Sequence, residues 1–98
     1  MSRSLLERKL SEVTAELKVQ RDELAVADEQ LAFFLDGADD ARLRALVSET
    51  PLSDREHHEA QRHAEAMERH RDWLIKKITE LERLQDELLE RFMAEVDK

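Results

Sequence analysis

Four histidines lie close together in the second half of the chain and are the residues with the clearest capacity for chemistry. They are His57, His58, His63 and His70. Zinc sites on helices place two ligands four residues apart on one face, as in the H-E-x-x-H pattern. Here His58 and His63 are five residues apart, which would put them on different helix faces. The spacing favours polar surface residues. A metal site is one alternative, and a pH-sensitive contact is another, because histidine titrates near neutral pH.

The other reactive residue types form no catalytic pattern. Cysteine is absent, which excludes disulfides, thiol catalysis and cysteine metal ligands. No glycine-rich loop is present to hold phosphate, and carboxylates occur throughout the chain, so no pair of them stands out. A chain made of two helices also offers no walled cleft that excludes water. We expect neither enzymatic activity nor a bound cofactor or metal.

The net charge of -8 disfavours direct binding to nucleic acid, which requires a basic stripe. The densest cluster of cations, within residues 69–77, is interrupted by an acid. No segment approaches the roughly 18 consecutive apolar residues of a membrane span, and the N-terminus does not resemble a signal peptide. We expect a cytoplasmic protein without membrane contact. The excess of arginine over lysine and the frequent alanine point to a bacterial source.

A stripe of apolar residues in steps of four and three organises the first half of the chain. It runs Leu6, Leu10, Val13, Leu17, Gln20, Leu24, Ala27, Leu31 and Phe34. This is the a/d pattern of a coiled coil. Ser4 followed by Glu7 resembles a capping box. The pattern predicts helix 1 over about residues 5–35.

The acidic segment 36–40 contains the single glycine, Gly37. Gly37 can adopt a left-handed cap, and the aspartates around it can cap a new start. This predicts a short helix over about residues 39–48. The alternative is a single helix that kinks at Gly37 and continues to about Ser48.

Thr50 and Pro51 mark the main break, because proline moves the preceding residue out of the helical region. Ser53 precedes Glu56 by three and resembles a second capping box, so helix 2 is predicted over about residues 54–96. Its stripe runs Ala60, Ala64, Met67, Arg71, Leu74, Ile78, Leu81, Gln85, Leu88 and Phe92. Because the two arms are equally long, the sequence predicts an all-α single domain over residues 1–98. The predicted domain is a long antiparallel helical hairpin, in which Gln20 and Gln85 could pair.

A second set of apolar residues lies outside these stripes. The set is Val19, Val26, Phe33, Trp73, Ile75 and Leu89. Contiguous exposed apolar residues mark interfaces, and a two-helix core is thin. We therefore expect a homodimer in a four-helix arrangement. The alternative is a broader core, since bundle helices often carry three apolar positions per heptad.

The segment from Asp36 to Ala41 reads D-x-x-D-x-A at the end of a coiled-coil helix. It resembles the tip of the DksA family, which enters the secondary channel of bacterial RNA polymerase, and Gre factors use a similar acidic-tipped hairpin. Residues 71–78 resemble the returning helix of the DksA family. The resemblance implies that Asp36, Asp39 and Ala41 contact the polymerase near its active centre. The cysteine zinc module of that family is absent.

Together these features predict a small non-enzymatic coiled-coil adaptor or regulator that acts through protein–protein contacts. The alternative is a transcription regulator that binds the secondary channel of RNA polymerase through an acidic tip.

Overall fold

A computed structural model gives the structure of residues 2–97, which form two long α-helices joined by a two-residue connection. α1 runs Arg3–Ser48 and α2 runs Pro51–Val96. The two helices make an all-α helical hairpin, and the described residues include no strand. The predicted all-α helical hairpin is confirmed. None of the helices in the described range is long and apolar enough to cross a membrane.

α1 continues through the acidic segment without interruption. The predicted division into a helix of about 5–35 and a short helix of about 39–48 is therefore wrong, and the observed end at Ser48 matches the alternative of one helix. The physical reason is that Ala38, Ala41 and Ala45 continue the steps of four and three beyond Phe34. Ala41 is buried in the seam between the helices. Alanine is also the strongest helix former, which offsets the unfavourable propensity of one glycine.

Both helices begin two or three residues earlier than predicted, because other residues cap them. The backbone N–H of Leu5 donates to Ser2 Oγ at 3.3 Å, so Ser2 caps α1. At α2 the N–H of Ser53 donates to Thr50 Oγ1 at 3.1 Å, and the N–H of Thr50 donates to Ser53 Oγ at 3.2 Å. This reciprocal pair is a capping box in which serine replaces the usual glutamate. Pro51 then occupies the first helical position, where its fixed φ is favourable.

The connection between the helices depends on a left-handed residue. Glu49 has φ of 50° and its N–H donates to the carbonyl oxygen of Ala45 at 3.0 Å. Glycine usually occupies this position after a helix, because a side chain there is sterically strained. Glu49 and Thr50 together reverse the chain, which agrees with the predicted closure of the hairpin.

The hairpin divides into two compact units that differ in their buried side chains. The first, here the leucine-rich unit, comprises the described residues up to Glu23 and those from Leu74 onward. It buries large residues, namely Leu6, Val13, Leu17, Leu74, Ile78 and Leu88. The second, here the alanine-rich unit, is Leu24–Trp73 and buries Ala27, Ala41 and Ala64 together with Ser53. The fully buried side chains of the leucine-rich unit are therefore the larger ones, and burial of apolar area stabilises by about 25 cal/mol per Å².

The two glutamines of the seam do not pair with each other, contrary to prediction. Gln20 is 5% exposed and its Nε2 donates to Glu16 Oε1 at 2.8 Å within the same helix. The Nε2 of Gln85 donates to Thr14 Oγ1 at 3.1 Å. Gln85 lies opposite Thr14, six residues before Gln20, so the two glutamines are too far apart along the hairpin to pair and do not set the register of the helices. The Oε1 of Gln20 is buried without a hydrogen-bond partner.

Replacing Glu49 by glycine tests the left-handed turn. We expect Glu49→Gly to raise the free energy of unfolding by about 0.5–1 kcal/mol, because relief of the steric strain outweighs the added freedom of the unfolded chain. Urea denaturation followed by circular dichroism measures the change. Glu49→Ala is the matched control and should give no gain, since alanine is strained at this φ as well. Equal gains from both variants would contradict the left-handed conformation.

Leu17 and Val19 provide a test of the seam, because they lie two residues apart in one helix with opposite burial. Leu17 is 0% exposed and Val19 is 48% exposed. Leu17→Ala should cost roughly 2–5 kcal/mol of stability, through lost burial and a cavity. Val19→Ala should stay within about 0.5 kcal/mol in the isolated hairpin. Thermal and urea unfolding at low protein concentration compare them, and similar losses from both would place the seam elsewhere.

Candidate functional site

The residues of the predicted acidic tip lie on the side of α1, not at the turn. Asp36 and Asp39 are exposed, whereas Ala41 is 2% exposed and packs in the seam. Asp39 precedes Glu49 by ten residues, which is about 15 Å along a helix. Asp36 and Asp39 are therefore available to a partner that approaches from the side. Ala41 is not available to a partner while the hairpin is closed, and its role as a contact residue stays a prediction.

The carboxylates of this part of α1 are not balanced by cations. No lysine or arginine occurs between Arg21 and Arg42. Among the described residues, Asp28 pairs with Arg71 across the helices, whereas Glu29, Asp36 and Asp39 form no ion pair. This segment consequently carries a local negative potential on the outer side of α1.

The histidine rings contact aromatic rings. His63 stacks on Phe34 with ring centroids 5.8 Å apart and an interplanar angle of 20°. His70 stacks on Trp73 at 6.2 Å and 18°. Within residues 2–97, no group of three or more histidine, aspartate or glutamate side chains is placed to hold a metal ion. His63 and His70 thus belong to a surface of stacked rings, whereas the rings of His57 and His58 contact each other, with centroids 5.7 Å apart.

In the leucine-rich unit the second apolar set is divided between two sides of the hairpin. Glu16 and Lys77 approach to 4.0 Å along one edge of the seam. Arg21 and Glu82 approach to 4.0 Å along the opposite edge. Val19 follows Glu16 by three residues and lies on the first side. Ile75 and Leu89, each seven residues from Glu82, lie on the second side, next to its charge.

In the alanine-rich unit, Val26, Phe33 and Trp73 share one side. Phe33 lines a groove of about 320 Å³ together with Phe34, Gly37 and His63. Val26 precedes Phe33 by seven residues, and His70 follows His63 by seven and stacks on Trp73. Leu35 lines a different groove, on the opposite edge, with Arg42 and Gln61. The six predicted interface residues therefore belong to more than one surface.

We call the shared side of the alanine-rich unit the aromatic face. On α1 it comprises Val26, Gln30, Phe33 and Gly37. On α2 it comprises His63, Ala66, His70 and Trp73. All eight residues are exposed, and Phe33 reaches 74% exposure. None of the eight is acidic or carries the fixed charge of lysine or arginine, although such residues make up 41% of the chain.

Five members of the aromatic face were not predicted as interface residues. They have no large apolar side chain, which is the usual sequence signal of an interface. They are Gln30, Gly37, Ala66, His63 and His70. The available signal was positional, because in each helix they recur at intervals of seven beside the seam.

Comparison with known proteins gives no relative for this chain. No protein-family model matches it, and no curated protein or solved structure does so.

Proposed function

We propose that this protein is a non-enzymatic coiled-coil adaptor or regulator that self-associates as a homodimer and works through protein–protein contacts in the bacterial cytoplasm. One observation carries the proposal, namely the large apolar side chains exposed outside the seam. Phe33 is 74% exposed, Trp73 and Val26 are each 53% exposed, and Leu89 is 47% exposed. Val26, Phe33 and Trp73 share one side of the alanine-rich unit, and contiguous exposed apolar surface of this kind marks an interaction site.

The division of the apolar residues between surfaces supports an adaptor role in particular. The aromatic face carries Phe33 and Trp73 in one unit, whereas the exposed Ile75 and Leu89 lie in the other, on either side of Glu82. Exposed apolar side chains in two separate places can contact two different partners. No cofactor or direct nucleic-acid contact is part of this proposal, and a larger protein is the expected second partner.

Sedimentation equilibrium tests self-association. We expect a mass of twice the 11.5 kDa of one chain at about 100 μM protein and 0.15 M salt, because burial of exposed apolar side chains drives association. Raising the salt concentration should strengthen the dimer, since each chain carries a net charge of -8 and salt screens the repulsion. A monomer with normal helicity under these conditions would contradict the homodimer.

The second candidate function is regulation of transcription through the secondary channel of RNA polymerase. The observation that favours it is the exposure of Asp36 and Asp39 without an ion-pair partner among the described residues. Carboxylates of this kind can influence a Mg²⁺-dependent centre by coordination or charge, which an amide does poorly. This candidate requires the partner to reach the side of α1, since the turn itself lies at Glu49 and Thr50.

In vitro transcription with RNA polymerase from the same organism tests the second candidate. Asp36→Asn with Asp39→Asn should leave the hairpin folded and still bound to polymerase but abolish its effect on transcription. Asp86→Asn with Glu90→Gln removes the same charge from exposed positions of α2 and should keep the effect. Failure of the unaltered protein to bind polymerase would rule out the channel function and leave the adaptor function standing.

A further inference from the structure

We propose that the aromatic face is the surface through which two copies of this chain bind, with α1 of each copy packed on α2 of the other and both turns at the same end. This inference rests on the self-association proposed above and specifies where and in which orientation it occurs. Four observations carry it, and all come from the alanine-rich unit. They concern the charge of the aromatic face, its shape, the positions of its residues along the helix axes, and the charged residues at its outer edges.

The first observation is the absence of acidic residues, lysine and arginine from the face. A chain with a net charge of -8 repels its own copy at most surfaces. The aromatic face presents eight successive positions without a carboxylate, an ammonium or a guanidinium group. Depletion of charge at the centre, with enrichment in aromatic residues, is the compositional signature of interface cores. A second copy can approach here without placing like charges in contact.

The second observation is that the face contains both a projection and a space. The Phe33 ring is 74% exposed and packs edge-on against Phe34, with centroids 5.6 Å apart. One turn further along, a Cβ added to Gly37 would have no atom within 4 Å. The groove beside them, of about 320 Å³, is lined by the small residues Ala41 and Ala60, and its far end by Arg44, Glu56 and Glu59, which lie outside the aromatic face. A two-fold interface is self-complementary, so projection and space must lie on the same surface, as they do here.

The third observation is which residues of α1 and α2 lie at the same height along the helix axes. Asp28 bonds to Arg71, and Phe34 stacks on His63. By these contacts Phe33 is level with about residue 66, and Val26 is level with about residue 73. A two-fold axis parallel to the helices keeps these levels and places α1 on α2 of the partner copy. Phe33 then meets the small Ala66 of the other copy, and Trp73 meets Val26.

The fourth observation is the opposite charge of the two rims. On the outer side of the aromatic face, α1 carries Glu29 and Asp36, whereas α2 carries Arg62 and Arg69. None of these four forms an ion pair within residues 2–97. In the proposed orientation Glu29 comes level with Arg69 of the other copy, and Asp36 comes level with Arg62. The alternative two-fold packing, α1 on α1, would instead bring acids together.

The size of the face indicates a moderate affinity. Sixteen residues of α1, positions 24–39, extend over about 24 Å, and two helices side by side are roughly 20 Å wide, which gives on the order of 500 Å² in projection. This is somewhat below the roughly 800 Å² per partner of standard interfaces, a range in which transient complexes occur. A dissociation constant in the micromolar range is expected.

Three variants test the location of the dimer interface. Each makes the chain more negative by one charge. Phe33→Glu removes the projection, and Gly37→Glu fills the space while improving helix propensity, so folding is not at risk. Leu35→Glu alters an exposed apolar residue on the opposite edge of the same helix. We expect the first two to raise the dimer dissociation constant at least tenfold and the third to leave it within threefold. Sedimentation equilibrium measures the constants, and circular dichroism checks the helicity.

A charge exchange tests the orientation. Glu29→Arg and Arg69→Glu should each weaken the dimer, and the double variant, which restores the net charge and the opposite signs, should recover most of the affinity. Recovery supports α1 on α2 packing. Additive weakening overturns the proposed orientation.

The outcomes separate this inference from the proposed function. A monomeric unaltered chain overturns both the homodimer and the aromatic face as its interface. A dimer that resists both Phe33→Glu and Gly37→Glu leaves the homodimer in place and overturns the aromatic face. If Leu35→Glu weakens the dimer as much as Phe33→Glu does, the aromatic face is also overturned as the interface. A monomer that uses Phe33 to bind a different protein assigns the face to that partner and overturns the second copy.

Discussion

A hairpin of two helices can bury only one stripe of each helix, and the alternating steps of four and three decide which stripe that is. Leu17 and Leu74 are buried because their positions face the other helix. Among residues 2–97, the large apolar side chains outside the stripe remain partly or largely exposed, as Phe33 illustrates. The exposed apolar surface is thus a direct geometric result of the two-helix architecture. It can be covered only by another molecule, which connects the fold to the proposed adaptor function.

The periodicity predicted the helices and the seam, whereas local residue chemistry was a poorer guide to the helix ends. Gly37 predicts a break, because glycine and aspartate favour caps. The alanines that follow continue the repeat, and tertiary packing overrides the local preference. At the second helix, Thr50 and Pro51 together form the start, although proline predicts only an interruption. A left-handed Glu49 has no sequence signal, because non-glycine residues rarely adopt that conformation.

The candidate surfaces were predictable in part. The apolar residues that the sequence pattern predicts to lie outside the seam, Phe33 and Ile75 among them, are exposed in the structure. Their distribution over opposite sides was not predicted, because it depends on which flanking positions meet across the seam. The contacts Glu16–Lys77 and Arg21–Glu82 supply that information. The buried position of Ala41 likewise required knowledge that the seam continues beyond Phe34.

The unequal seam also has a consequence for the order in which the chain folds. Contacts of the alanine-rich unit span few residues, since the turn at Glu49 and Thr50 lies inside it, and short loops close at low entropic cost. The leucine-rich unit buries the larger side chains, but its first contacts close a loop of about fifty residues. The alanine-rich unit therefore closes its loop at the lower entropic cost but buries the smaller side chains. The leucine-rich unit buries the larger side chains but closes its loop at the higher entropic cost. We therefore expect a hairpin that starts at the turn to persist only once the leucines pack together.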